Sequence, residues 1–107
     1  MRVTVLDGKA EQMLTVEGKV AEPFVAELES AWEKTRQDGG SRPTVIDLTE
    51  VTRIDRKGEA ALVAMVAEGA RLTAKGIYWE YVVKQLLNEA RMARARWHRA
   101  AARVQKI

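Results

Sequence analysis

The sequence has no cysteine and a single histidine, His98, among its 107 residues. Without cysteine there is no disulfide framework, no thiol nucleophile and no thiolate metal site. One histidine leaves no multi-histidine metal site and removes most catalytic triads. Serine occurs only at Ser30 and Ser41, and the spacings GxGxxG, GxxxxGKS/T and GxSxG are absent. Neither an enzymatic activity nor a cofactor is therefore expected. No apolar run approaches the roughly 20 residues that span a bilayer. The opening residues MRVTVLDG read as a strand and a turn, without the apolar h-region of a signal peptide. A soluble, cytoplasmic protein with no membrane span is the expectation.

What is present is ordinary in amount and uneven in placement. Hydrophobic residues at 47% and charged residues at 31% suit a folded globular chain rather than a disordered one. A length of 107 residues suits one domain. All 15 acidic residues lie at or before Glu89, against 12 Lys and Arg in residues 1–90, so that stretch sums to −3. Residues 91–107 add Arg91, Arg94, Arg96, Arg99, Arg103 and Lys106 with no acid, which is +6. A mildly acidic body thus carries a basic tail.

Along the chain, Val3 and Val5 alternate with polar neighbours up to Asp7-Gly8, a strong hairpin dipeptide. The return strand spans about Gln12 to Val16 and continues weakly to Val20. Pro23 is placed at the first position of a helix, where a missing N–H costs nothing. Phe24, Val25, Leu28, Trp32 and Thr35 share one face of that helix, and Gly39-Gly40 ends it. Trp32 is read as core or rim packing.

Residues 44–69, TVIDLTEVTRIDRKGEAALVAMVAEG, are the centre of the chain. Thr44, Val45, Ile46 and Leu48 form a short apolar run typical of a strand covered on both faces. A short turn holding Thr49 and Thr52 is expected next. Asp55 then caps a helix, its carboxylate accepting from free N–H groups of the first turn. Ala61, Leu62, Met65, Val66 and Leu72 recur at three- and four-residue spacing, giving that helix one apolar face. Ala74-Lys75-Gly76 turns the chain into an expected last strand, Ile77-Tyr78-Trp79-Glu80-Tyr81. From Val82 the pattern is helical, with Val83, Leu86, Ala90, Ala93, Trp97, Ala100, Val104 and Ile107 spaced as a thin heptad seam.

Asp47, Asp55 and Glu59 could gather at the carboxyl end of the central strand. Capping by Asp55, a strand end at Asp47 and a first-turn acid at Glu59 account for them without chemistry. Arg56 and Lys57 are less easily explained. They occupy the first two helical positions, where the macrodipole disfavours a cation by roughly 0.3–1 kcal/mol. That cost is small enough for simple tolerance to account for the pair; a positive pair beside a cleft edge also invites an acidic partner surface. On the tail, the apolar seam argues for protein association, by docking on the body or pairing with a second copy. Nucleic acid is the second reading of its cations.

The stretch VIDLTEVTRIDRKGEAALVAM, in the order strand–strand–helix–strand–helix–strand–helix, resembles the STAS domain of bacterial anti-sigma factor antagonists. Asp47, Leu48 and Thr49 match the family's strand end, Ile54, Asp55 and Gly58 its junction, and Ala60 to Met65 its helix. The likeness covers about residues 2 to 90. In members that work by partner switching, the residue before the junction glycine is a serine or threonine phosphorylated by a cognate kinase. Here it is Lys57, so that switch is absent.

The resemblance implies an α/β fold: a STAS-like mixed β-sheet with helices mainly on one face, in residues 1–90. A basic helical extension, 91–107, follows. It also implies a protein-interaction module of bacterial signalling that docks through Thr49, Thr52, Asp55, Arg56, Lys57 and Gly58. The implied partner is an anti-sigma-factor-like or kinase-like regulatory protein, or a larger signalling complex. An accessory subunit of a transporter is a further reading.

Overall fold

A computed structural model describes the backbone of residues 1–105 and the side chains of residues 1–93 and 95. In chain order the elements are β1 (Arg2–Asp7), β2 (Gln12–Val20), α1 (Val25–Gly39), β3 (Thr44–Ile54), α2 (Arg56–Ala67), β4 (Arg71–Thr73) and α3 (Ile77–Gln105). The strands form one mixed sheet in the order β1-β2-β3-β4, antiparallel between β1 and β2 and parallel thereafter. The expected architecture is the observed one.

The register separates the two faces of the sheet. Val5, Leu14, Ile46 and Leu72 lie in one cross-strand row; Leu14, Ile46 and Leu72 join the core beneath the helices, whereas Val5 on the edge strand is exposed. Thr4, Thr15, Asp47 and Thr73 make the neighbouring row on the opposite, polar face. Helix α2 packs between α1 and α3. Leu28 of α1 and Leu62 of α2 are fully enclosed with Leu14, Ile46 and Leu48 of the sheet. Each such side chain contributes about 1.5–3 kcal/mol of transfer free energy. Trp32 is a core residue with a polar handle. The residue is 6% exposed, and its Nε1 donates to Glu68 Oε2 at 3.1 Å.

Five expectations about local structure are corrected. Pro23, in cis after Glu22, lies in a turn closed by Phe24 N–H donating to Ala21 O; α1 begins at Val25. Phe24, without a capping side chain, is partly exposed instead of facing the core. The central strand does not stop for a turn at Thr49. β3 stays paired with β2 through Ile54 by way of two register shifts, so Thr49 and Thr52 are strand residues and Asp47 falls mid-strand.

Leu72 is not on the helix face. Gly69, at φ +117°, ends α2 with its N–H donating to Val66 O while Ala70 N–H donates to Met65 O, a Schellman closure that only glycine adopts easily. This releases Leu72 into β4. Finally, Ile77–Tyr81 is the first turn of α3, not a strand. Gly76 opens the helix, with Glu80 N–H donating to Gly76 O at 3.0 Å. Trp79 and Val82 pack on the core while Tyr78 and Tyr81 stay outside, a three-residue period rather than a two-residue one.

Val83, Leu86 and Ala90 are buried, so the first half of the heptad seam packs on the protein's own body. The expectations for Trp97, His98, Val104 and Ile107 lie outside the described side chains. No described helix is long and apolar enough to cross a membrane.

Candidate functional site

The junction between β3 and α2 is built around one carboxylate. Asp55, in extended conformation at φ −91° and ψ −178°, is the N-cap of α2. Its Oδ1 accepts from Gly58 N–H at 2.7 Å, the reach of an Asp cap into its first turn. Its Oδ2 accepts from Glu22 N–H at 3.0 Å, which the sequence does not signal. The Asp55 N–H in turn donates to Val20 O at 3.2 Å. One residue therefore ties the end of β2, the end of β3 and the start of α2 together.

Gly58 completes the knot. It is buried against the same Val20 carbonyl, and a Cβ there would run into the carbonyl oxygen and reach 2.9 Å from both Val20 C and Val20 Cγ1. The close approach that Gly58 permits is thus internal to the fold.

The electrostatics follow. The Gly58 N–H and then the Glu22 N–H hold the Asp55 carboxyl below the usual carboxylate range, with Arg53 adding a smaller attraction. Arg53, at the end of β3, is a member of the site that the sequence pattern does not mark, because its place beside Asp55 depends on β3 running without a turn. Arg56 and Lys57 are exposed on the first turn of α2. Among the described residues none of these three cations is ion-paired.

Of the six expected site residues, Asp55, Arg56, Lys57 and Gly58 are contiguous here. Thr52 is exposed on the wall of a neighbouring cleft of about 460 Å³, which it shares with Glu59, Tyr78, Trp79 and Leu86. Thr49 is elsewhere. At about 3.3 Å per strand residue it lies roughly 20 Å from Asp55. Its backbone N–H and hydroxyl both donate to Asp47 Oδ1, at 2.9 and 2.7 Å, and its Oγ1 accepts from Lys75 N–H at 3.1 Å. Thr49 fastens β3 to the loop before α3.

Arg56 also stands at the lip of a groove of about 620 Å³ between α2 and α3, floored by Ala60, Val63, Ala64 and Ala67. Glu59 and Glu89 face one another across its end. Their shared hydrogen bond, then slight desolvation and mutual repulsion, push the exposed Glu89 carboxyl up. Sequence spacing could not bring Glu59 and Glu89 together, because it set the first turn of α3 down as a strand. Among the described residues no three His, Asp or Glu side chains converge as metal ligands.

Comparison with solved structures matches the fold of this chain to that of the anti-sigma factor antagonist SpoIIAA in its unphosphorylated form. The match has a TM-score of 0.55 at 9% identity and covers 76% of this chain and 80% of that one. The chain has the STAS fold. A crystal structure of Mglu also matches, with a TM-score of 0.53 at 22% identity over 69% of this chain; the match spans 19% of the Mglu chain. No family model and no curated protein matches the sequence. The likeness is one of fold rather than side-chain identity.

Proposed function

We propose that this chain is a non-catalytic STAS-like interaction module of a signalling system. In this reading it docks a regulatory protein through the first turn of α2, without phosphorylation at position 57. The observation that carries the reading is a positive surface with no ion pair among the described residues. Both oxygens of the Asp55 carboxylate are occupied by backbone N–H groups, so the acid nearest the patch is turned inward. Arg53, Arg56 and Lys57 remain outside, beside a helix N-terminus whose dipole carries the same sign. Cations at that position are mildly unfavourable in the isolated fold, and an acidic partner surface would reverse the sign of that term.

The groove beside Arg56 gives such a partner an apolar floor, and the fold shared with an anti-sigma factor antagonist supports a regulatory protein as that partner. A phosphorylatable residue would make the surface switchable; Lys57 makes its charge constant. Replacing both cations (Arg56→Glu with Lys57→Glu) weakens the complex with the partner, most strongly at low salt where screening is least. Unchanged affinity at low salt contradicts the reading.

A further inference from the structure

The cleft between the end of β3, the start of α2 and the first turns of α3 holds more chemistry than docking uses. Its volume of about 460 Å³ is that of a small-molecule pocket, and Ile54, Val82 and Leu86 give it apolar lining. Trp79 is fixed against the core, while Tyr78 and Tyr81 stand 69% and 61% exposed on the same cleft. The Tyr78 and Trp79 rings meet edge to face, with centroids 5.2 Å apart and planes at 75°, so they form two sides of a corner. A ring face attracts a cation within about 6 Å of its centroid. At this spacing one ammonium group addresses both rings.

Charges of both signs line the same cavity. Glu59 and Glu89 lie together on it and repel one another, a repulsion that a cation beside them relieves. Arg53 brings the opposite charge from the end of β3. It forms no ion pair with either glutamate. Asp55, which it also attracts, has both oxygens taken by backbone N–H groups.

That combination selects an occupant. A ligand with only a cation would leave Arg53 unmatched and repelled. A ligand with only a carboxylate would leave the rings and the two glutamates unmatched. A quaternary ammonium has no N–H to be hydrated, and aromatic corners are its characteristic receptors.

We propose that the cleft binds a small zwitterion in which a quaternary ammonium is joined to a carboxylate. The ammonium sits in the Tyr78–Trp79 corner beside Glu59 and Glu89, and the carboxylate accepts from the Arg53 guanidinium. Thr52 and Gln85, both exposed on the cleft, add hydrogen-bonding groups. The site adjoins the docking face without resting on that reading, and Arg56 and Lys57 take no part in it.

The test is calorimetric titration of the full chain at low salt with trimethylammonium carboxylates that differ in the number of methylenes between the charges. One chain length binds best, with a Kd of about 1 mM or tighter. Its tert-butyl analogue, which keeps the shape and the carboxylate but not the cation, binds about tenfold more weakly. The alcohol analogue, which keeps the ammonium but not the carboxylate, also loses about tenfold. Tyr78→Leu weakens the zwitterion about threefold or more. Glu59→Gln weakens the zwitterion and the alcohol alike. Arg53→Gln weakens the zwitterion to the level of the alcohol and leaves the alcohol no weaker. Tyr78 and Arg53 are exposed, and unchanged circular dichroism checks that each variant is folded. Absence of saturable binding across the series overturns the proposal. So does a tert-butyl analogue that binds as tightly as the zwitterion, which makes the cleft a plain apolar pocket. Zwitterion affinity indifferent to Arg53→Gln overturns it as well.

Discussion

Val20 and Gly58 meet backbone to backbone: Gly58, on the first turn of α2, lies so near the Val20 carbonyl at the end of β2 that no side chain fits between them. The same carbonyl accepts from Asp55 N–H. Two connections of the fold, β2 into α1 and β3 into α2, are thereby held at one point, and the exposed cations of the junction are mounted on a rigid base.

Gly58→Ala tests that base. Helix propensity alone favours alanine over glycine by about 1 kcal/mol. The added Cβ meets backbone, which cannot rotate aside as a side chain can, and forced overpacking costs about 1–3 kcal/mol or more. Because the contact is with backbone the clash wins: urea denaturation gives a net loss of about 1–2 kcal/mol. A variant as stable as wild type would mean that the Val20 contact is looser than described.

Asp55 makes the junction sensitive to acid. Its carboxyl is held below 3.8 in the fold, so its contribution is fully present above the unfolded value and is lost as pH falls through the lower, folded one. Asparagine caps a helix about as well as aspartate but does not titrate. Asp55→Asn therefore keeps the Gly58 cap but loses the bond from Glu22 N–H, which its amide NH2 cannot accept; it costs part of the stability at neutral pH and flattens the loss of melting temperature below about pH 4. Asp55→Ala lowers the melting temperature at neutral pH. The comparison is made by thermal melts across pH.

Glu59 and Glu89 work in the opposite sense. The Glu89 carboxyl is raised above 4.5 by its hydrogen bond with Glu59, so the fold is weakened where both are ionised and gains as pH falls through the raised value. Glu89→Gln raises the melting temperature at neutral pH, and the gain shrinks as pH approaches 4.5 from above. Equal gains at both ends of that range would show that the two carboxylates do not interact.

Thr49 has a structural role. Thr49→Val removes the hydroxyl that donates to Asp47 and accepts from Lys75 N–H, leaving those groups to water or to nothing. The expected loss is about 1–2 kcal/mol by denaturation, with partner binding at the junction unchanged.

The junction itself was legible from sequence because its rules are local. An Asp followed three residues later by a small residue, then by an apolar face, specifies a capped helix, and Asp55, Arg56, Lys57 and Gly58 are where that pattern places them. The succession of strands and helices was legible through the family pattern, although the last strand lies at Arg71–Thr73 and not at Ile77–Tyr81. What failed was whatever depended on contacts distant in the chain. Thr49 to Ile54 contains turn-compatible residues, but its pairing with β2 keeps it a strand. Ile77, Trp79 and Tyr81 alternate as a strand would, yet packing of Trp79 and Val82 on the core winds them into α3. Glu22 reaches Asp55 from 33 positions away, and no spacing announces it.

The central claim, that the first turn of α2 is a docking face, is tested most directly by position-resolved crosslinking in the native host. A photoreactive residue replaces Lys57 in one variant and Thr4, on the open face of the sheet, in another. The account predicts a crosslinked regulatory protein from position 57 and none from position 4, with the adduct lost when Arg56→Glu is added. Adducts of equal yield from both positions, or a position 57 adduct indifferent to Arg56→Glu, would contradict it.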